Sequence, residues 1–282
     1  MKLAQLRDPF GGRTAAIYEA GRYRPIANHT IASLIAEADR DGRDLAELAA
    51  SAALDTEIRG AHDIPVTPPE VWACGCTYAP SADFRDGELG TREGMYNYVY
   101  RAARPEIFFK GTARVCVGPG EPIGIRCDSA FTAPEPELAL VIGSQGRILA
   151  YTLANDVSAW DIERENALYL PQSKVYTGCC ALGPVLVTAG EIPDPYDLYM
   201  TCSITRGDKR TFEGAVSTSK LHRRFEQLVE FLLRANPVPA ATVVLTGTGI
   251  IVTEDARLEP GDVVSIEIPE IGRLSNPAVM VG

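Results

Sequence analysis

From about residue 100 onward, the chain is a succession of short runs rich in strand-favouring residues, and this pattern limits its possible fold more than any other feature. Gly, Pro, Asn or Asp separate the runs, as at Pro119-Gly120. The runs cover residues 107–109, 137–142, 148–153, 184–188, 198–205, 242–245 and 263–268. Residues 219–235 instead carry apolar side chains at helical spacing and end at Asn236-Pro237, which predicts one clear helix. Mostly strands with few helices favour a mixed β-sandwich roll over an alternating α/β sheet.

The first sixty residues show a different pattern. Residues 14–18 follow a Gly-Gly turn and predict a strand, while residues 31–53 have helical spacing interrupted by a turn at 39–42. The segment GAHDIPVTPPE (60–70) is rich in proline, which interrupts helices and central strands. We therefore predict an α+β protein, with a small N-terminal α+β domain at residues 1–62 and a larger β-roll domain at residues 63–282.

Charge and composition exclude several classes of partner. The chain has 27 Lys and Arg against 37 Asp and Glu, a formal charge of −10, which argues against nucleic acid and anionic membranes. No apolar run approaches the roughly 20 residues of a membrane span, and the start lacks a signal-peptide pattern. The seven cysteines are odd in number and form no CxxC pair. We expect reduced thiols in a cytoplasmic protein rather than a disulfide framework or a zinc site.

Two glutamates stand at the start of a strongly apolar run, PEPELALVI (134–142). Glu135 and Glu137 are two residues apart, so on an extended chain they lie on one face and repel unless a cation separates them. The next predicted strand leads to Asp156, which can return to the same end of the sheet. Three carboxylates favour Mg²⁺, Mn²⁺ or Ca²⁺ over zinc. For an isolated ExE pair the alternative is a solvated turn with ordinary acidic residues.

Several segments, taken together, resemble the fumarylacetoacetate hydrolase superfamily over residues 70–282. They are RPEIFFK (104–110), PEPELALVI, LAYTLANDVSA (149–159), TGTG (246–249) and LEPGDVVSIEIPEIGRLSNPAV (258–279). The resemblance implies a mixed β-roll, a homodimer or homotetramer, and Mg²⁺ or a similar ion bound by Glu135, Glu137 and Asp156.

A narrower resemblance is to the 2-keto-3-deoxy-D-arabinonate dehydratases of that superfamily. It rests on GMYNYVYR (94–101), DIERENALYLPQSKVY (161–176) and GCCALGP (178–184). In those relatives, the residues that match Glu106 and Lys174 act as acid/base groups, and which of the two accepts the proton stays open. The threonine that matches Thr248 contacts the substrate carboxylate. The chain departs from its relatives at Trp160, where the superfamily usually has arginine, and at Ala167, where the dehydratases usually have proline.

Further candidates come from the turns. In TGTG, the backbone N–H groups around Gly247 could bind an anion, although such a sequence is often only a tight turn. The segment from residue 74 to residue 100 is rich in Gly, Arg and Tyr and would suit a lid over the substrate. Tyr78 and Arg85 could reach the substrate from there, with ordinary loop residues as the alternative.

These residue types suit the chemistry of a small 2-oxo acid. A bound cation stabilises the charge that develops when the C3 proton leaves, and a nearby carboxylate can take that proton and protonate the departing C4 hydroxyl. We predict an Mg²⁺-dependent dehydratase that converts a 2-keto-3-deoxy sugar acid, a pentonate, to 2-oxoglutarate semialdehyde.

Two alternatives remain open. One is a hydrolase of an acylpyruvate or a 2,4-diketo-3-deoxy sugar acid at the same metal site. Hydrolases of this superfamily use a His–Glu pair near the lid, whereas His29 and His62 lie outside residues 77–103 and His222 falls in the predicted helix. The other is a non-catalytic protein that binds a sugar acid or acts as a scaffold.

Overall fold

The computed structural model describes residues 1–8, 10–88 and 94–282, without the side chains of residues 85, 87 and 88. The strands are β1 (Lys2–Arg7), β2 (Arg13–Glu19), β3 (Arg22–Pro25), β4 (Ala61–His62), β5 (Val71–Gly75), β6 (Glu106–Gly111), β7 (Cys116–Val117), β8 (Ile123–Arg126), β9 (Thr132–Ala133), β10 (Pro136–Ile142), β11 (Ile148–Asp156), β12 (Ser158–Ala159), β13 (Cys180–Thr188), β14 (Tyr199–Arg206), β15 (Lys209–Ser217), β16 (Thr242–Leu245), β17 (Val263–Ile268) and β18 (Gly272–Val281). The helices are α1 (Ile31–Arg40), α2 (Leu45–Ala52), α3 (Ala79–Glu88), α4 (Met95–Arg101), α5 (Trp160–Glu165), α6 (Leu170–Lys174) and α7 (Phe225–Leu233).

The strands form a large mixed sheet with a smaller sheet and a short two-stranded pair. In the described part of the chain, the large sheet has the order β3-β2-β1-β13-β11-β10-β16-β5-β6, with β4 beside β1 and β7 beside β13. The second sheet has the order β15-β14-β17-β18-β8, and β9 pairs with β12. Most neighbours are antiparallel, while β16–β5, β13–β7 and β18–β8 are parallel. The predicted α+β class and mixed β-roll are confirmed.

The centre of the large sheet is buried on both faces, because β10 alternates between two apolar cores. Leu138 and Leu140 point into a core shared with the second sheet and α7. Ala139 and Val141 point into a core shared with α1 and α2. A strand that is buried on both faces needs apolar side chains at consecutive positions, which explains the apolar sequence LALVI within PELALVI.

The first sixty residues contribute strands to the same large sheet. The predicted strand at 14–18 lies within β2, and the interrupted helical segment forms α1 and α2. Thr30 caps α1 with a reciprocal pair of hydrogen bonds to Ser33. β1 pairs with β13 from Lys2 opposite Val187. The division at residues 1–62 and 63–282 stays a prediction, and the strands on its two sides are joined edge to edge.

The predicted helix at 219–235 is wrong at its start, because α7 begins at Phe225. The amide of His222 donates a hydrogen bond to the carbonyl of Thr77 (2.9 Å) and not to the preceding turn, so the α-helix does not extend back through it. Thr218–Lys220 form a separate 3₁₀ turn. His222 therefore lies before the helix and not within it.

The structure also contains helices that the apolar pattern did not predict. The expected lid segment contains α3 and α4, and α5 and α6 follow β12. These helices are short or polar and give little apolar periodicity. No helix in the described ranges combines the length and apolarity that a membrane span requires.

Candidate active site and metal centre

Three buried carboxylates meet at one end of the large sheet. Glu135 immediately precedes β10, Glu137 is the second residue of β10, and Asp156 is the last residue of β11. The two strands are antiparallel with Pro136 opposite Asn155, which places the start of one beside the end of the other. One carboxylate oxygen from each of the three side chains lies within 4.8 Å of the others. The structure thus brings together the three residues that the alternating pattern predicted.

A buried lysine lies directly against this cluster. Lys174, the last residue of α6, is 1% exposed. Its Nζ donates to Glu135 Oε1 (3.0 Å), Asp156 Oδ2 (3.1 Å) and Ser158 Oγ (2.6 Å). The same Nζ lies 3.9 Å from Oε2 of Glu163 on α5. Lys174 therefore lies among the carboxylates and is not a solvated lysine.

The charge of the cluster fits a divalent cation. Among the described side chains, four buried carboxylates (Glu135, Glu137, Asp156 and Glu163) face two buried ammonium groups, Lys110 and Lys174. Burial and then the charges of Asp156 and Glu135 raise the pKa of Glu137 well above its ordinary value. An all-oxygen donor set with excess negative charge suits Mg²⁺, which would relieve the repulsion.

Glu106 lies in the wall of a cavity beside this cluster. It is the first residue of β6, is half-buried, and stands opposite Gly75 of β5. Gly75 leaves room for the carboxylate, because a Cβ there would overlap with Glu106 Oε2. The Sγ of Cys76 donates to the same oxygen (3.4 Å).

The cavity has a volume of about 460 Å³. Met95 and Tyr96 of α4 line it, together with Leu170 at the start of α6. Glu106 and Glu163 both face this space, and Glu163 connects it to Lys174. A space of this size beside the carboxylate cluster accommodates a small sugar acid, since ligand pockets begin at roughly 300 Å³.

The TGTG turn lies against the carboxylates. The amide of Gly247 donates to Glu137 Oε2 (2.5 Å), and the hydroxyl of Thr248 exchanges hydrogen bonds with the backbone of Ile250, each 3.2 Å long. Tyr78 is buried, and its ring lies below Gly249. Burial, followed by the charge of Glu137, raises the pKa of Tyr78. The side chain of Arg85 lies outside the described residues.

Comparison with known proteins identifies the family. The family model described as fumarylacetoacetate hydrolase C-terminal matches residues 92–279. The chain belongs to the fumarylacetoacetate hydrolase family. A 2-dehydro-3-deoxy-D-arabinonate dehydratase of Saccharolobus solfataricus is 49% identical over 216 residues, which cover 76% of this chain and 72% of that protein. A probable 2-keto-3-deoxyxylonate dehydratase of Haloferax volcanii is 44% identical over 218 residues, 77% of this chain and 75% of that one.

A solved structure extends the likeness to the whole chain. It is a 2-keto-3-deoxy-D-arabinonate dehydratase complexed with magnesium and 2,5-dioxopentanoate. It superposes with a TM-score of 0.87 at 37% identity, over 100% of this chain and 99% of that chain. This chain and that dehydratase therefore share the same fold over their whole length.

Sequence reasoning missed residues that contact the cluster. Lys110 forms an ion pair with Asp156, and its position four residues after Glu106 on one strand was a usable signal. Trp160, noted as a departure from the family, donates from Nε1 to Glu135 Oε1 (2.9 Å). Ala167, the other departure, lines the cavity with Glu163.

The position of His222 corrects one argument made from the sequence. Its ring stacks on Tyr100 of α4, with 4.3 Å between the ring centroids. A histidine therefore does lie against the 77–103 segment, although it comes from another part of the chain. It is exposed, and the lining of the Glu106 cavity does not include it.

Proposed function

We propose that this protein is an Mg²⁺-dependent dehydratase that converts a 2-keto-3-deoxy sugar acid, a 2-keto-3-deoxypentonate, to 2-oxoglutarate semialdehyde. The observation that carries the proposal is the buried cluster of Glu135, Glu137 and Asp156 beside a cavity that holds Glu106. Relatives named as dehydratases of such acids, at 49% and 44% identity, support the substrate class. The magnesium and 2,5-dioxopentanoate in the related structure support the cofactor and the product.

The three clustered carboxylates are the proposed metal ligands. Their buried oxygens lie within 4.8 Å of one another and carry more negative charge than the neighbouring lysines balance. An Mg²⁺ ion held there supplies Lewis-acid stabilisation of the charge that develops on the 2-oxo acid. Gly247 orients Glu137 through its amide, and Trp160 orients Glu135 through its indole N–H.

Glu106 is the proposed proton acceptor. It takes the C3 proton as the electron pair of that C–H bond forms the C3–C4 double bond and the C4–O bond breaks. The proton is then available to the departing hydroxyl, which leaves as water. Transfer of a proton from C5 to C3, followed by tautomerisation of the resulting enol, gives the terminal aldehyde.

Lys174 is the proposed cationic partner of the acid/base step. Its ammonium contacts Glu135 and Asp156 and approaches Glu163, which lines the cavity. A fixed positive charge at this position stabilises negative charge on the substrate without reorganisation. Thr248, Tyr78 and Arg85 complete the proposal as substrate-binding residues around the cavity.

We further propose that the protein is a cytoplasmic homo-oligomer. The resemblance to the fumarylacetoacetate hydrolase superfamily supports the homo-oligomer. All seven cysteines are described and none is joined in a disulfide, which supports a reducing compartment.

A coupled assay tests the function. The protein, MgCl₂ and a 2-keto-3-deoxypentonate are incubated with a 2-oxoglutarate semialdehyde dehydrogenase and NAD(P)⁺. Formation of NAD(P)H that requires the sugar acid and stops with EDTA is the expected result. Release of pyruvate from a 2,4-diketo-3-deoxy acid, with no NAD(P)H, would establish the hydrolase instead.

Replacement of the proposed proton acceptor tests the chemistry. Glu106→Gln is nearly isosteric and removes the basic oxygen, so we expect kcat to fall by about 10²–10⁴-fold. Mg²⁺ affinity, measured by isothermal titration calorimetry, should stay within a factor of about two. Full turnover by the variant would rule out Glu106 as the base.

A further inference from the structure

Lys110 is the second buried lysine of the site. It lies on β6, four residues after Glu106, and its side chain is 0% exposed. Its Nζ lies 2.5 Å from Asp156 Oδ1 and donates to the carbonyl oxygens of Val157 (3.0 Å) and Lys174 (2.6 Å). Two of the N–H donors of the ammonium group thus go to backbone carbonyl oxygens, and its charge forms a close ion pair with Asp156. The group is therefore fixed in one orientation.

The three partners of Lys110 belong to two parts of the chain that carry proposed functional groups. Asp156 ends β11 and Val157 follows it, whereas Lys174 ends α6. Lys110 holds one oxygen of Asp156, while the ammonium of Lys174 holds the other at 3.1 Å. A single buried ammonium thus connects the carboxylate at the end of the strand to the end of the helix that bears Lys174.

We propose that Lys110 is a positioning residue that orients Asp156 for the divalent cation and sets the distance between that cation and Lys174. The inference rests on the proposed function for the identity of the metal site. Among the contacts that the structure describes, Lys110 reaches neither Glu106 nor Glu163, the two carboxylates that line the cavity. It acts through Asp156 and the backbone of Lys174. Its contribution is to the geometry of the site and not to proton transfer.

A purely electrostatic role predicts the opposite effect on metal binding. If Lys110 only offset negative charge, its removal would leave the carboxylates more negative and Mg²⁺ would bind more tightly. If Lys110 orients Asp156, its removal weakens Mg²⁺ binding, since loss of a residue that orients a metal ligand typically costs about 10–100-fold in affinity. The sign of the change separates the two roles.

The test is calorimetric titration of metal-free protein with MgCl₂, without substrate. Lys110→Met keeps the length of the side chain and removes both charge and donors, and we expect Mg²⁺ to bind about 10–100-fold more weakly. Lys110→Gln keeps two of the donors, so a smaller loss is expected. Lys209→Met, on the exposed β14–β15 hairpin, is the matched control and should bind as the wild type does.

Equal or tighter Mg²⁺ binding by the folded Lys110→Met or Lys110→Gln protein overturns the proposal. Circular dichroism checks that each variant is folded. At saturating Mg²⁺, where weaker metal binding no longer limits turnover, the kcat of each variant should still lie below that of the wild type. If neither variant folds, a structure of the wild-type protein with Mg²⁺ decides, because separation of Lys110 from Asp156 would overturn the assignment. The titration needs no substrate, so a failed dehydratase assay leaves its result intact.

Discussion

The amide of Gly247 donates a hydrogen bond to Oε2 of Glu137, with 2.5 Å between the nitrogen and the oxygen. This contact links the turn after β16 to the second residue of β10, and through it Gly247 positions the carboxylate of Glu137. The backbone of Gly247 has φ +93°, a conformation that other residues rarely adopt. The turn therefore supports the carboxylate cluster from one side.

Gly247→Ala should damage both stability and metal binding. An added Cβ would be strained at this φ, would overlap with Thr77 Oγ1, and would lie 2.9 Å from the carbonyl oxygen of Cys74. We expect a loss of about 2–3 kcal/mol in the free energy of unfolding, measured in urea. Gly190→Ala is the control, since a Cβ there meets nothing within 4 Å. Equal midpoints for the two variants would contradict the role of Gly247.

Glu137→Gln should weaken Mg²⁺ binding without lowering the stability of the metal-free protein. The change removes one charge from a cluster in which Asp156 and Glu135 disfavour the ionised form of Glu137. The metal-free variant should therefore be as stable as the wild type, or more so. At 100 times its Kd, Mg²⁺ should stabilise the wild type by about 2.7 kcal/mol and leave the variant nearly unchanged. Thermal unfolding with and without MgCl₂ checks both expectations.

Gly75→Ala should affect catalysis more than stability. The new methyl would displace the flexible end of Glu106, which can move at low energetic cost. We expect kcat to fall by about 10–100-fold through misplacement of the carboxylate, since small displacements of catalytic groups have effects of that size. The Mg²⁺ affinity should not change. A variant with wild-type kcat would show that the observed position of Glu106 is not needed for turnover.

His29 should give the N-terminal region a pH-dependent stability. Its hydrogen bond to Glu37, and then that to the carbonyl of Ala27, raise the pKa of His29. The stabilisation is therefore fully present below the unfolded value of about 6.5 and is lost as the pH rises through the higher folded value. His29→Gln should remove roughly 0.5 kcal/mol at pH 5.5 and less at pH 8.5.

Urea unfolding of the wild type and the variant at both pH values measures this difference. His62 provides a comparison of opposite sign, because burial lowers its pKa and its contribution is lost as the pH falls. A difference between wild type and His29→Gln that grows with pH would contradict the assignment of His29.

The carboxylate cluster could be predicted because it depends on short-range rules. Glu135 and Glu137 share a face through strand alternation, and an antiparallel return brings Asp156 beside them. The position of Lys174 was not accessible in this way, since it depends on how α5 and α6 fold back after β12. The family resemblance supplied it instead.

Other features were missed because long-range contacts override local patterns. The start of α7 shifts to Phe225 because His222 bonds to Thr77, far away in the sequence. The amide of Gly247 in the TGTG turn donates to the carboxylate of Glu137 on the neighbouring strand β10, a contact that the local turn pattern does not specify. Strand alternation places Lys110 on the same face of β6 as Glu106, but it does not show that Asp156, far away in the sequence, is its partner.

The large sheet carries Glu137, Asp156 and Glu106 on β10, β11 and β6, whereas α4 supplies much of the cavity wall and α6 contributes Leu170. These three carboxylates thus lie on strands of one sheet, and the register of the strands fixes the direction in which each side chain points. The helices that cover it can change their side chains without altering that register. Engineering of substrate range should begin with Met95, Tyr96 and Leu170, and leave the strands as they are.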